Sequence, residues 1–211
     1  MERKNKRSFS YLFIIFAVIC AVFISIKVAM SSNFWIDDKV AGSFSQVPES
    51  AIPFFIQITA LGDKIGIGVA ALLALAWLLL KKRNYLGAAV LALSVGIGNE
   101  VSKILKDYFQ RPRPDLEHLV DVKSYSFPSG HAMVGLIVYF MIAYLLMEEA
   151  KSRVGKVTIA VITAILLLLI GASRIILHVH YPTDVIGGYA LGYIWVVIWI
   201  LLYNYFKKRV K

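Results

Sequence analysis

Acidic residues are scarce: 13 Asp and Glu stand against 23 Lys and Arg, and charged residues together make up only 17% of the 211 positions. A soluble globular domain carries roughly 25% charged residues; the length suits one compact helical bundle, and residues 1–211 are expected to be one unit with no second, soluble domain. Cysteine is almost missing. Cys20, alone in an apolar run, excludes an internal disulfide. No Asn-x-Ser/Thr sequon occurs, which suits a bacterial source. The net charge of +10 falls in short clusters between apolar runs, which excludes a nucleic-acid-binding surface. What is abundant is apolar surface. The chain is 59% hydrophobic with a mean hydropathy of +0.70, above the roughly 45–50% of soluble domains, and this composition belongs to an integral membrane protein.

Six apolar runs approach the roughly 20 residues needed to cross a bilayer. The first, about 11–30, follows Arg3, Lys4, Lys6 and Arg7; it is longer than the core of a signal peptide and no clear cleavage site follows, so it reads as a retained span. The others cover about 63–80, 85–105, 131–147, 157–177 and 185–205. A shorter apolar stretch, 52–61, lies at the interface or leads into the second span. The third run carries Gly87, Ala88, Ser94, Gly96 and Gly98, small residues that let helices approach closely, and is expected to be central in the bundle. Asn99 and Glu100 near its end read as internally hydrogen-bonded groups. Tyr203, Tyr205 and Phe206 are expected to form an aromatic belt at the end of the last span. The fold class is therefore all-α, a bundle of six transmembrane helices.

Lys81, Lys82 and Arg83, the turn with Lys151, Arg153 and Lys156, and the basic tail to Lys211 share a side with the N-terminus, which places both termini in the cytoplasm. The opposite side receives loops 31–53, 106–130 and 178–184. Lys106, Arg111, Arg113 and Lys123 are basic residues on this outer side, against the topological preference, and function is expected to hold them there.

Three polar groups face that side: Lys106 with Arg113-Pro114; Pro128-Ser129-Gly130-His131; and the stretch from Ser173-Arg174 through His180 to Asp184. If the helices bundle in sequence order, the three meet at one depth. Lys106, Arg113 and Arg174 have no matching carboxylates beside them, and guanidinium forks fit phosphate oxygens. Ser129 and Gly130 fall where a helix begins, so backbone N–H groups and a hydroxyl can face an anion. His180 and Asp184, four apart, can meet; an aspartate on one ring nitrogen fixes the tautomer and frees the other nitrogen for attack. His131 would then protonate the leaving alcohol. Histidines in these two states, one neutral and one protonated, give a bell-shaped pH dependence.

Each piece alone has a plainer reading. His180 and Asp184 could be a structural pair, Pro-Ser-Gly-His a helix cap, and Lys106 with Arg113 an interfacial snorkelling pair. His131, His180 and Asp184 could also bind zinc, although three neighbouring cations would repel it. Arg111, His118 and His178 fit none of these roles and read as loop residues.

The three segments together resemble the signature of the type 2 phosphatidic acid phosphatase superfamily, Lys-x6-Arg-Pro, Pro-Ser-Gly-His and Ser-Arg-x5-His-x3-Asp. The match runs through Lys106…Arg113-Pro114, Pro128 to His131, and Ser173-Arg174…His180…Asp184 without departure. Arg111-Pro112 is a decoy by spacing, since no lysine stands seven positions before it. The resemblance implies a six-helix core with its site at the extracytoplasmic face of a bacterial membrane. It implies His180 as nucleophile, Asp184 as its partner and His131 as the acid. Lys106, Arg113, Ser129, Gly130 and Arg174 would hold the phosphate, with no metal, no cofactor and no obligatory protein partner. Small bacterial members act on phosphatidylglycerophosphate or undecaprenyl diphosphate, and the first is the expected substrate. A phosphotransferase, or a non-catalytic binder of anionic lipid, stands as the alternative; such a binder would need the cations but not His131, His180 and Asp184.

Overall fold

The structure, a computed structural model, describes residues 2–31, 34–37, 39 and 47–209, with the backbone alone for residues 2–11. The side chains of Arg3, Lys4, Lys6 and Arg7, together with Asp38 and Lys211, lie outside the described residues.

Among the described residues the chain forms α1 (Glu2–Ala29), α2 (Ile52–Ala60), α3 (Lys64–Ala76, running into a π-helical turn at Trp77–Lys81), α4 (Tyr85–Phe109), α5 (Gly130–Glu149), α6 (Arg153–Ile176) and α7 (Pro182–Arg209). All but α2 are long and apolar enough to cross a membrane. Outside water every backbone N–H and C=O must be satisfied within the segment, and helices do this. Polar residues set the helix starts. The Asp63 carboxylate accepts from the backbone N–H of Ile65 and Gly66, Asn84 from that of Gly87, and Ser152 from that of Gly155. Gln110, in the left-handed region at φ 47°, ends α4 and turns the chain into the loop that precedes α5.

The expected centre of the bundle is corrected. It is α5, not α4, that packs against α3, α4, α6 and α7, and more than half of the α5 span is buried against a third of α4. The small residues of α4 do admit neighbours: Gly98 lies under Ile137 and Trp195. Gly188 and Gly192 on α7, however, meet backbone rather than side chains alone. A Cβ at Gly188 would stand 2.9 Å from the Ser129 carbonyl, and one at Gly192 2.8 Å from the Met133 carbonyl. This small-x-x-x-small pair lets α7 lie directly on the backbone of α5. Gly188→Ala is therefore expected to cost about 1–3 kcal/mol of stability, the usual range for overpacking. Chemical denaturation in detergent measures it; a loss below a few tenths would contradict so tight a crossing.

The aromatic belt is also corrected. Tyr203 is buried, and its hydroxyl accepts from Asn84 Nδ2 at 3.2 Å; only Tyr205 and Phe206 are exposed. At this pole Lys82 pairs with Glu149, and Lys207 with Glu148. The other pole gathers the end of α4, the starts of α5 and α7, the end of α6, and α2 packed on α6.

Candidate active site

The second pole brings together the candidate site residues singled out from the sequence. The close crossing of α5 and α7 sets the start of one helix on the start of the other: the Ser129 N–H donates to the Asp184 carbonyl at 3.1 Å. His180 sits on the short turn between α6 and α7, where its N–H and that of Val179 both donate to the Arg174 carbonyl. Its ring is 3% exposed. Nδ1 lies 3.4 Å from Asp184 Oδ2 and 3.4 Å from the Ser126 hydroxyl, while Nε2 lies 3.5 Å from Arg113 Nη1. Burial pushes the imidazole down to about 3, with the Lys106 and Arg174 cations acting in the same direction and Asp184 against them. His180 is thus a free base whose Nε2 points at the cations.

Asp184 is fully buried and heavily engaged. Oδ2 accepts from the Ser126 hydroxyl and from the Tyr181 N–H at 2.9 Å, and Oδ1 accepts from Arg111 at 2.6 Å. The carboxylate cannot turn away from His180 without breaking these bonds.

The three cations are held from behind. Lys106 donates to the Tyr125 carbonyl at 2.6 Å and to the Ser126 carbonyl at 3.4 Å. Arg113 donates through Nε to the Ser124 carbonyl at 2.8 Å and through Nη1 to the Val179 carbonyl. Burial lowers its pKa and Asp184 opposes this. Arg174 is 4% exposed and donates through Nη1 to Thr59 Oγ1 at 2.6 Å, so the short helix α2 serves to brace it. Among the described residues two buried side-chain polar atoms have no partner: Arg174 Nε and Ser129 Oγ. Buried donors are normally satisfied, so both call for an acceptor that arrives from outside. Ser129 occupies the N-cap of α5 without using its hydroxyl as a cap, which leaves it free for that acceptor.

Lys106, Arg113, Gly130, His131, Arg174 and His180 share the wall of one cavity of about 1030 Å³. It extends from the cationic end along α3 and α4 to Gly68, Val95 and Gly96, so a polar end joins an apolar groove. His131 opens α5 on the wall of this cavity, with Gly62 packed against its ring. The arrangement suits an anion with an apolar tail. Among the described residues no cluster of three His, Cys, Asp or Glu side chains is set to hold a metal.

Not all of the site was found from spacing. Arg111, read as a decoy, is bonded to Asp184 and Asp37; that reading is corrected. Its spacing from Lys106 is wrong for the signature, and its partner Asp37 is 74 residues away, so no local pattern joins them. Thr59 and Ser126 were also missed. His118 and His178 do stay in the loops: His118 Nε2 contacts the Pro114 carbonyl and His178 Nδ1 the Glu117 carbonyl. Glu100 is exposed and bonded to Asn99 and Lys103, a local structural group as expected.

Fold and site define a multi-pass helical membrane protein with a buried anion cradle and two histidines at one pole. The chain belongs to the PAP2 superfamily, whose profile matches residues 85–208. It is 36% identical to phosphatidylglycerophosphatase B of Bacillus subtilis over 123 residues, 58% of this chain and 59% of that protein. It is 34% identical to the decaprenylphosphoryl-5-phosphoribose phosphatase of Mycobacterium tuberculosis over 132 residues, 61% of this chain and 66% of that protein. These alignments therefore leave a third or more of each relative unmatched. The fold matches over more of its length the crystal structure of a transmembrane PAP2-type phosphatidylglycerolphosphate phosphatase from Bacillus subtilis. The TM-score is 0.78 and the identity 27%, covering 95% of this chain and 96% of that one. Aquifex aeolicus LpxE shares the fold with a TM-score of 0.64 and 22% identity, over 80% of this chain and 97% of that one.

Proposed function

We propose that the protein is a lipid phosphate phosphatase that hydrolyses phosphatidylglycerophosphate to phosphatidylglycerol. The observation that carries this is the cavity itself, whose wall joins Arg174, with its unpartnered Nε, to His180, Lys106 and Arg113 at the head of an apolar groove. The names of the relatives support the substrate.

In this reading the phosphate lies against Lys106, Arg113, Arg174, the Ser129 hydroxyl and the N–H groups that open α5 at Gly130. Charge on the transferring phosphoryl group spreads over three oxygens, and these donors stabilise it. His180 Nε2 attacks phosphorus. A P–N bond forms as the P–O bond to the lipid alcohol breaks, and His131 gives its proton to the leaving oxygen. His131 then takes a proton from water, which attacks the phosphohistidine, releases inorganic phosphate and returns neutral His180. Asp184 holds Nδ1–H throughout and balances the charge of the phosphorylated ring. The three cations neutralise the phosphate, so no metal is required.

By the distribution of Lys and Arg among the loops, both termini face the cytoplasm and the site opens extracytoplasmically. A polyprenyl phosphate lipid is the second reading, favoured by the likeness to the decaprenylphosphoryl-5-phosphoribose phosphatase.

The test is phosphate release by detergent-solubilised protein from phosphatidylglycerophosphate and undecaprenyl diphosphate in parallel, each with EDTA. Release from the first that survives chelation is expected. Loss on chelation would reinstate a metal, and preference for the second lipid would move the substrate to the polyprenyl class. Because His180 is a free base down to about pH 3 in the empty site, it sets no acidic limb of kcat/KM between pH 5 and 8. A limb there belongs to the phosphate monoester, which takes its second proton near pH ~6. The acidic limb of the bell expected from the sequence is thus the substrate's.

A further inference from the structure

We infer that Arg111 is a positioning residue for the proposed hydrolysis, acting on His180 through Asp184 and itself anchored by Asp37. The inference rests on the reading of His180 as nucleophile.

The geometry is a closed network of buried groups. Arg111 Nη1 donates to Asp184 Oδ1 at 2.6 Å and to Thr183 Oγ1 at 2.8 Å, and Nη2 donates to Asp37 Oδ2 at 2.7 Å. Asp37 in turn accepts from the Thr183 N–H at 2.9 Å and from the Thr183 hydroxyl at 2.7 Å. The guanidinium stacks on the Tyr181 ring, with 4.2 Å to its centroid, and also faces Phe34 at 5.5 Å. The side chains of Arg111, Asp37 and Asp184 are 12%, 4% and 0% exposed. Burial alone would lower the Arg111 pKa, but Asp184 and Asp37 outweigh it and the net shift is upward. Arg111 does not line the cavity, so it has no path to the phosphate.

Two consequences follow for the chemistry. Arg111 fixes Oδ1, and this leaves Oδ2 aimed at Nδ1 of His180, which sets the direction of Nε2. It also draws on the Asp184 charge, so that Asp184 orients the ring without taking its proton. Asp37 lies on the segment after α1, outside the region matched by the family profile, and ties that segment to the reacting turn both through Arg111 and directly through Thr183.

His180 is faced by Lys106 from α4, His131 from α5, Arg174 from α6, Asp184 from α7, and Arg113 and Ser126 from the loop. Against that fixed set, two substitutions shift the charge on Asp184 in opposite directions. Arg111→Met leaves the carboxylate unopposed, so His180 protonates at higher pH. Asp37→Asn gives Arg111 wholly to Asp184, so His180 protonates at lower pH. With phosphate bound, the dianion raises His180 toward the measurable range, and the acidic limb of kcat reports it.

The experiment measures pH profiles of kcat and KM for wild type, Arg111→Met, Arg111→Lys and Asp37→Asn, with His180→Ala as control. Arg111→Met is expected to lose roughly 10- to 100-fold in kcat, the usual cost of removing an outer-shell partner, with KM unchanged within about twofold. Its acidic limb moves up, and Arg111→Lys restores the limb more fully than kcat because it keeps the charge and loses the fork. The Asp37→Asn limb moves down. Opposed shifts support the inference, since a merely loosened structure would not produce them. Unmoved limbs with kcat near wild type, or a loss confined to KM, overturn it. If Arg111→Met fails to fold, Asp37→Asn decides alone by the direction of its limb. A wild-type protein that releases no phosphate sinks the proposed function itself, an outcome distinct from active protein with unmoved limbs.

Discussion

His180→Ala reduces phosphate release to the background of the assay, a loss on the order of 10⁶-fold if it follows other nucleophile–base units. Nothing near it can substitute. Nε2 of His180 stands beside Arg113 on the turn between α6 and α7, whereas His131 stands at the start of α5. Asp184→Asn should cost less, about 10⁴-fold by the same precedent, because it removes orientation and charge while leaving the nucleophile. It also leaves Arg111 with Asp37 as its one carboxylate, and loss of one partner from a buried ion network costs stability. Folded fraction is therefore measured beside activity for both variants. Equal losses in folded protein, or a larger loss for Asp184→Asn, would overturn the division of roles between the two residues.

Arg174→Gln is the second large effect, with kcat lower by about 10³-fold, the upper range for removing one donor to a developing oxyanion. Arg174 is the most buried of the three cations, and its Nε has no partner in the protein. A buried donor left in that state is set for the transition state, when charge on the phosphoryl oxygens is greatest. Lysine should not rescue it, because an ammonium cannot hold Thr59 with one nitrogen and face the phosphate with another. Steady-state kinetics on phosphatidylglycerophosphate separate the possibilities. A rise in KM with kcat intact would make Arg174 a ground-state binder instead.

The fold was largely legible because each span carries its own signal. The last five apolar runs correspond to α3–α7 within a few residues at each end, and the first ends with α1, which begins earlier, at Glu2. The misjudged centre has a physical reason: small residues mark where a helix is approached closely, and α7 uses Gly188 and Gly192 for this against backbone, as α4 uses Gly98 against side chains. Burial of α5 comes from its place among four neighbours, which no local pattern encodes. The anion cradle was legible because Lys106, Arg113, His131, Arg174, His180 and Asp184 stand at helix ends, with spacings fixed by the chemistry. Arg111, Asp37 and Thr59 were not, because each acts through a contact across more than 70 residues of sequence. Reading Arg111 as a decoy was right for the signature's spacing and wrong for the site, where it bonds Asp184 and Asp37.

The most direct measurement is a search for the covalent intermediate. Wild-type and His131→Ala protein would be mixed with phosphatidylglycerophosphate labelled on its terminal phosphate, quenched in base and examined by peptide mass spectrometry. The expected result is a base-stable, acid-labile phosphate on the peptide that contains His180. His131→Ala should accumulate more of it wherever hydrolysis is slowed more than attack. Turnover with no label on His180 in either protein, or label on another residue, would contradict the phosphohistidine mechanism.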